Sequence, residues 1–125
     1  MDEVIEVDKG FVVDVNKALT GVGHRIIKPD QLESVFSSYY YYEDKPSQIA
    51  SIVNSIIKNH PFGDGNKRTA FVVLTSLCRR NSVEYLNDED ELFEAIHYVA
   101  NNKLEIEEVA EVLQLKEKGN DKNRS

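Results

Sequence analysis

Residues 60–80 read HPFGDGNKRTAFVVLTSLCRR, and this stretch decides the fold. Its second part, from Asn66 to Arg80, is apolar on nearly all sides and runs for fifteen residues without a break. The β-branched residues within it would also suit a strand, but the length favours a helix. A helix that is apolar all round is buried at the centre of a domain. The sequence therefore predicts a buried central helix over residues 66–80.

On both sides of this helix, apolar residues recur at spacings of three and four, which is typical of amphipathic helices. Pro29 and Pro46 suit the first turn of a helix, and Asn87 or Asp88 can cap a later one. The predicted helices cover residues 4–19, 29–36, 46–57, 88–99 and 106–113, with a short strand at 83–86. We expect an all-α single domain, with about six helices around the buried central helix.

The length and the charge limit the classes of protein. A chain of 125 residues suits one domain with one modest core. Apolar residues end before Lys116, so we expect a folded domain over residues 1–115 and a disordered tail over residues 116–125. Without that tail the chain has 11 basic and 20 acidic residues, a balance of −9. An acidic body repels nucleic acid, so direct nucleic-acid binding is not expected.

The sequence gives no sign of a membrane or secretory destination. Its apolar stretches are far shorter than the roughly 20 residues that a membrane span needs. Asp2, Glu3 and Glu6 occupy positions where a secretory leader carries Lys or Arg. The one cysteine, Cys78, excludes an internal disulfide and is interpreted as a small buried hydrophobe. We therefore expect a cytoplasmic protein that does not bind membranes.

The loop before the central helix has the residue types of an anion site. Gly63 and Gly65 flank an acid, and glycines there allow successive N–H groups to turn inward. The helix start adds free N–H groups and the positive end of the helix dipole. Lys67 and Arg68 lie in the first turn, where cations are unfavourable unless an anion lies between them. The pattern predicts a local site for a polyanion in an otherwise acidic protein.

Three further residues of the loop suggest chemistry. A carboxylate beside phosphates is repulsive unless a cation lies between them, and Mg²⁺ commonly takes one or two carboxylates with phosphate oxygens and waters. Asp64 alone could therefore hold Mg²⁺. His60 lies at the other rim, where a neutral imidazole could take a proton from an incoming hydroxyl. Phe62 is expected to turn inward and anchor the loop.

The segment from His60 to Arg68 resembles the signature of the Fic/Doc family, His-x-Phe-x-Asp/Glu-Gly/Ala-Asn-Lys/Gly-Arg. Chance agreement at about seven specified positions is negligible in a chain this short. Adenylylating members are similar to one another in a Gly after the Asn and in a second Arg three residues beyond the first. This sequence has Lys67 and Phe71 at those positions, and in this it resembles the death-on-curing (Doc) toxin branch.

The resemblance to Doc toxins implies a compact helical domain with a small β-hairpin flap. It also implies a kinase that uses ATP and Mg²⁺ to phosphorylate a threonine of elongation factor Tu, which inhibits translation. By this resemblance His60 would be the general base and Asp64 the Mg²⁺ ligand. The phosphates would be held by Asn66, Lys67, Arg68 and the backbone of Gly63 and Gly65. The Thr20–Lys28 loop falls where the target-docking flap of the family is expected.

Other interpretations stay open. A Fic-type adenylyltransferase would act on a protein hydroxyl with the same loop. A non-catalytic module would hold a nucleotide or a partner without turnover. The least specific interpretation is a helix-capping loop with incidental charges, although capping alone does not require Lys67 and Arg68 in the first turn. His24 and His97 match no spaced metal motif and are interpreted as structural.

The sequence also bears on control of such a toxin. Many Fic proteins resemble one another in a self-inhibitory helix with the pattern Ser/Thr-x-x-x-Glu-Gly/Asn. No Glu in this sequence is followed by Gly or Asn, so inhibition is expected from a separate antitoxin chain acting in trans. The run Tyr39–Tyr42 is the expected landing surface, because four tyrosine rings exceed what a small core can bury.

Overall fold

A computed structural model of the protein describes residues 8–118. Of these residues 67% are helical, in six α-helices and two short 3₁₀ turns at Gly21–Gly23 and Tyr39–Tyr41. The α-helices are α1 (Lys9–Thr20), α2 (Pro29–Ser34), α3 (Lys45–Asn59), α4 (Asn66–Arg80), α5 (Glu89–Asn101) and α6 (Ile106–Val112). Two strands, β1 (Val83–Tyr85) and β2 (Leu115–Glu117), pair antiparallel, and α5 and α6 lie between them in the sequence. The prediction of an all-α domain with a small β element is confirmed.

The central helix is α4, with the bounds that the sequence predicts. Its buried side chains are Thr69, Ala70, Val73, Leu74, Leu77 and Cys78. Helices α1, α3 and α5 pack against it, so its apolar faces are covered from several sides. Burial raises the pKa of the Cys78 thiol to about 12, because the thiolate would lose its hydration. In the described part of the chain, no helix has both the length and the apolar character to cross a bilayer.

Side-chain caps set where the surrounding helices begin. Asp44 accepts a hydrogen bond from the Ser47 N–H at 2.8 Å, so α3 begins one residue before Pro46. Asp88 caps α5 in the same way, as one of the two predicted candidates. Asp8 caps α1. Residues 1–7, which hold the first turn of the predicted first helix, lie outside the described residues.

Ordered structure continues past the predicted boundary at residue 115. Lys116 pairs with Glu84 in the two-stranded sheet, and the Lys118 N–H donates to the Ser82 carbonyl at 2.9 Å. The predicted start of the tail is therefore wrong. The backbone groups of β2 are satisfied by pairing with β1 whatever the side chains are, so the end of the apolar residues did not mark the end of the fold. The rest of the predicted tail, residues 119–125, lies outside the described residues.

The tyrosine run forms a 3₁₀ turn before α3. Tyr39 packs partly against the core, whereas Tyr40 and Tyr41 are 59% and 74% exposed. Their ring centroids lie 5.1 Å apart, so the two exposed rings form one aromatic patch. The turn thus divides the run between the core and the surface.

Candidate active site

The loop from His60 to Gly65, called the motif loop below, joins α3 to α4. It leaves α3 through His60, whose backbone is left-handed with φ 51°, and enters α4 through Gly65, with φ 76°. Between these turns Phe62 is 1% exposed and belongs to the main core. The His60 side chain remains exposed. The motif loop is therefore fixed at two helix ends and at one buried ring, while its histidine faces solvent.

Asn66 closes the motif loop from the first turn of α4. Its Oδ1 accepts a hydrogen bond from the Phe62 N–H at 3.1 Å, and its Nδ2 donates to the Phe62 carbonyl at 2.9 Å. The amide of Asn66, expected at the phosphates, therefore holds the loop together. The group of Asn66 best placed for an anion is its main-chain N–H, which belongs to the first helical turn and has no intrahelical acceptor.

The Thr20–Lys28 segment, called the 20–28 loop below, lies against the motif loop. The Gly63 N–H donates to the Arg25 carbonyl at 2.9 Å, and the Pro61 carbonyl accepts from two N–H groups of the 20–28 loop at 2.9 and 3.2 Å. Ile26 and Phe62 form an antiparallel bridge. The segment that the sequence placed at the target-docking flap is thus in direct backbone contact with the motif loop.

Both glycines of the motif loop lie where a side chain has no room. A Cβ at Gly63 would be 2.9 Å from Cγ of Arg25, and one at Gly65 would be 2.9 Å from Cγ2 of Thr20. The Gly63 N–H is bound to Arg25, and the Gly65 N–H donates to Oδ1 of Asp64 at 2.8 Å. These two N–H groups, expected to hold phosphates, thus already have protein acceptors. The donors best placed for an anion belong to the first turn of α4.

Charges of both signs meet at the start of α4. Nη2 of Arg68 lies 3.9 Å from Oδ2 of Asp64, and the two side chains are 49% and 72% exposed. Exposed pairs of this kind stabilise a fold little, so both groups are available to a ligand. Lys67 adds a second cation in the same turn. The two cations and the helix dipole make this surface attractive to an anion despite Asp64.

A cavity of about 400 Å³ opens over the motif loop. Its walls are His60, Gly63, Asp64, Gly65, Asn66, Lys67 and Arg68, together with Phe93 and His97 of α5. The structure therefore brings together every predicted site residue except Phe62, which is in the core. The volume lies in the range of roughly 300–1,000 Å³ that is common for small-molecule sites.

Phe93 and His97 form an aromatic wall that the sequence analysis missed. The two rings meet edge to face at 4.9 Å, and Phe93 meets Phe71 of α4 in the same way at 5.8 Å. His97, interpreted above as structural, thus lines the cavity. The spacing of four residues on α5 could have placed Phe93 and His97 on one face. Nothing in the sequence shows that this face meets the motif loop.

Asn16 of α1 is a second residue that the sequence analysis missed. It is fully buried, and its Nδ2 donates to the Asp64 carbonyl at 2.9 Å and to Oγ1 of Thr69 at 3.1 Å. The sequence did contain a sign of this role, because Asn16 follows Val12 by four residues and so falls on the buried face of α1. A buried amide on an apolar face has bonding partners, since unpaired burial is costly.

The metal expected at Asp64 fits the residues of the cavity. Within residues 8–118 no group of three or more His, Cys, Asp or Glu side chains could hold a metal ion. A single exposed carboxylate beside a helix N-terminus and two cations suits Mg²⁺ in company with a phosphate group, because Mg²⁺ completes its shell with phosphate oxygens and waters. It does not suit Zn²⁺, which takes three or four protein ligands.

Arg68→Ala is expected to leave the melting temperature of the ligand-free protein almost unchanged. The pair with Asp64 contributes about 0–1 kcal/mol, and repulsion from the helix dipole costs about as much. The matched variant is Arg80→Ala at the other end of α4. There the dipole favours a cation, and the guanidinium lies 4.8 Å from the centre of the Phe11 ring.

Arg80→Ala should therefore destabilise the fold by about 1–2 kcal/mol, which lowers the melting temperature by about 3–8 °C. Thermal unfolding followed by circular dichroism compares the two variants. A larger loss for Arg68→Ala than for Arg80→Ala would favour the helix-capping interpretation of the motif loop.

Comparison with known proteins gives one family match, and it covers the motif loop. The sequence model of the Fic/DOC family matches residues 2–78, which is more than half of the chain. The match includes the whole motif loop, the 20–28 loop and α4 up to Cys78. A search of curated proteins finds no match.

Proposed function

Because the chain belongs to the Fic/Doc family, whose members are generally transferases, we propose that it is a Doc-type toxin kinase. It transfers the γ-phosphate of ATP, with Mg²⁺, to a hydroxyl group of a protein. The observation that carries this proposal is the environment of Lys67 and Phe71. These are the two positions at which the sequence departs from adenylylating enzymes.

Phe71 is half-buried against the core and meets Phe93 edge to face at 5.8 Å. The position at which adenylylating enzymes have their second Arg therefore holds an uncharged ring that packs against another ring. Lys67 instead places its charge in the wall of the cavity, beside Arg68. The site therefore gathers its cations in the first turn of α4, which supports a chemistry directed at one end of the polyphosphate.

In the proposed reaction the side chains of the cavity have separate roles. His60 takes the proton of the substrate hydroxyl, whose oxygen then bonds to the γ-phosphorus. The bond from that phosphorus to the β,γ-bridging oxygen breaks, and ADP leaves. Lys67, Arg68 and the first-turn N–H groups stabilise the charge that develops on the phosphate oxygens. Mg²⁺, held by Asp64, would neutralise part of the same charge.

The proposed protein target is a threonine of elongation factor Tu, so that transfer inhibits translation. The 20–28 loop supports a protein substrate, because it carries the fully exposed Val22 and the half-exposed Ile27 beside the motif loop. Exposed apolar side chains next to a reactive cavity are typical of a surface that receives a protein segment. The identity of the target comes from the resemblance to Doc toxins.

An antitoxin chain acting in trans is the proposed partner. The aromatic patch of Tyr40 and Tyr41 supports this role, because two neighbouring exposed rings suit the apolar face of a docking helix. An antitoxin that also blocks the cavity would place an acidic or phosphate-mimicking group near the two cations in the first turn of α4.

The position of a transferred label tests the proposed reaction. The purified protein is incubated with bacterial lysate and ATP that is labelled at either the α- or the γ-phosphate. We expect label on a protein of the lysate from γ-labelled ATP and none from α-labelled ATP. Label only from the α-phosphate would show adenylyl transfer, and label from neither would favour a binding module. The His60→Ala protein, in the same lysate, controls for endogenous kinases.

A further inference from the structure

We propose that Asn16 is a positioning residue of the Mg-ATP site, and that it transmits the position of the 20–28 loop to the motif loop through His24. The inference rests on the proposed function, which supplies the ligand. It concerns a residue of α1 that does not line the cavity and that acts through the Asp64–Gly65 turn. The hydrogen bonds of the Asn16 amide carry it.

The orientation of the Asn16 amide is fixed by its partners. A carbonyl oxygen can only accept, so the group facing the Asp64 carbonyl at 2.9 Å is Nδ2. The same Nδ2 donates to Oγ1 of Thr69 at 3.1 Å, which uses both of its hydrogens. Two donors from one buried side chain thus hold the motif loop and the first turns of α4.

The other end of the amide faces the 20–28 loop. Oδ1 of Asn16 lies 2.7 Å from Nδ1 of His24, and because Oδ1 can only accept, Nδ1 carries the proton. The His24 ring also lies 5.9 Å from the Phe62 ring, so it contacts the motif loop a second time. The Asn16 amide therefore connects the 20–28 loop to Asp64 in two hydrogen bonds.

The turn that Asn16 holds packs closely against two side chains of α1. Gly65 is left-handed, and a Cβ there would lie 3.3 Å from Nδ2 of Asn16 as well as 2.9 Å from Thr20. A shift of the Asn16 amide therefore moves the Asp64–Gly65 turn with it. That turn carries the Asp64 carboxylate and starts the helix whose N–H groups face the phosphates. Asn16 is thus placed to set the geometry of metal and phosphate binding without touching either.

A matched pair of amide-to-acid changes separates positioning from general stability. Asn16→Asp keeps the shape, loses both donors and adds a negative charge, so Thr69→Val, which adds none, is measured beside it. Gln48→Glu makes the same change in another buried amide, whose Nε2 donates to the Tyr42 carbonyl at 2.8 Å near the opposite end of α3 from the motif loop. Both changes should lower the melting temperature. Only Asn16→Asp should weaken binding of Mg²⁺ with a non-hydrolysable ATP analogue, by about 10–100-fold, as for other residues that orient a metal ligand.

Calorimetric titration with the Mg²⁺–analogue pair measures this difference. Thr69→Val, which removes one of the two acceptors and keeps the side-chain shape, gives a second measurement, which stands alone if Asn16→Asp does not fold. It should weaken binding by about 2–10-fold. Equal binding by Asn16→Asp and the wild type, or equal losses for Asn16→Asp and Gln48→Glu, would overturn the inference.

The connection through His24 has its own readout. In the ¹⁵N spectrum of the wild type, neutral His24 should be protonated at Nδ1, and Asn16→Asp should perturb this signal. His24→Phe keeps a ring beside Phe62 and loses the hydrogen bond, so it should weaken analogue binding by about 2–10-fold. A neutral His24 protonated at Nε2 would disprove the connection.

Failure of this inference can be distinguished from failure of the proposed function. If the wild type binds the analogue and Asn16→Asp binds it equally well, the kinase proposal stands and the positioning role is lost. If the wild type does not bind the analogue, the proposed function fails. Hydrogen exchange then decides the positioning role, because the Gly65 and Thr69 amides should exchange faster in Asn16→Asp and not in Gln48→Glu.

Discussion

Replacement of His60 by alanine is expected to lower phosphoryl transfer by ~10²–10⁴-fold, the usual contribution of a general base. Nucleotide affinity should change little, because the proposed role of His60 is at the substrate hydroxyl and the cations of the cavity lie in α4. The variant should also fold, since the His60 side chain is exposed. Transfer of γ-labelled phosphate measures the rate, and titration with a non-hydrolysable ATP analogue measures the affinity. In cells, expression of the wild type should arrest growth, and His60→Ala should not.

Two further variants make this result specific. Lys58→Ala removes an exposed side chain near the same end of α3, outside the cavity, and should retain transfer. His97 is the other imidazole in the wall of the cavity. If His97→Ala abolishes transfer while His60→Ala does not, the base is His97 and the assignment to His60 is wrong.

The second large effect is expected for Asp64. Asp64→Ala and Asp64→Asn should each lower Mg²⁺-dependent transfer by at least ~10²-fold, because a bound metal supplies several kcal/mol of charge stabilisation. Asn at this position keeps an acceptor for the Gly65 N–H and removes the charge. Without metal, both variants should bind ATP at least as well as the wild type, since a carboxylate beside phosphates is repulsive. Transfer rates and ATP affinities are measured with and without Mg²⁺. They show whether transfer falls when the metal is present and whether ATP affinity is kept or raised when it is absent.

Asp30→Asn controls for the loss of one negative charge, because Asp30 is an exposed residue in the first turn of α2. It should change neither measurement. Full Mg²⁺-dependent transfer by Asp64→Asn would remove the carboxylate from the proposed metal site.

The sequence predicted best those parts of the fold whose signals are local. Helix α4 is apolar on nearly all sides, follows a glycine and ends before Asn81, so both its central position and its bounds could be predicted. The residue that caps α5 could be predicted as either Asn87 or Asp88, because a side-chain cap depends on one short segment of sequence. The residues of the motif loop could be assigned to one site for the same reason, because they are neighbours both in the sequence and in space.

The features that the sequence did not predict depend on which helices and loops pack against one another. Phe93 and His97 belong to the site because α5 packs beside α4. Asn16 contacts the motif loop because α1 also packs against α4. The bridge between Ile26 and Phe62 and the pairing in β2 are backbone contacts, which side-chain patterns do not encode. A backbone hydrogen bond beside that bridge also engages the Gly63 N–H, which the sequence had assigned to phosphate.

Because Cys78 is buried, the reactivity of its thiol reports how often the core opens. This residue is the one cysteine of the chain, is 1% exposed, and has a pKa raised to about 12, so alkylating reagents can react only after the core opens. Cys78 is in the same helix as the first-turn cations of the cavity. A ligand that binds only the folded state reduces the opened population by the factor 1 + [L]/Kd, and it slows alkylation equally when opening is a rapid equilibrium. The alkylation rate of one thiol therefore measures affinity for any nucleotide, metal or protein segment, even in variants that have lost all turnover.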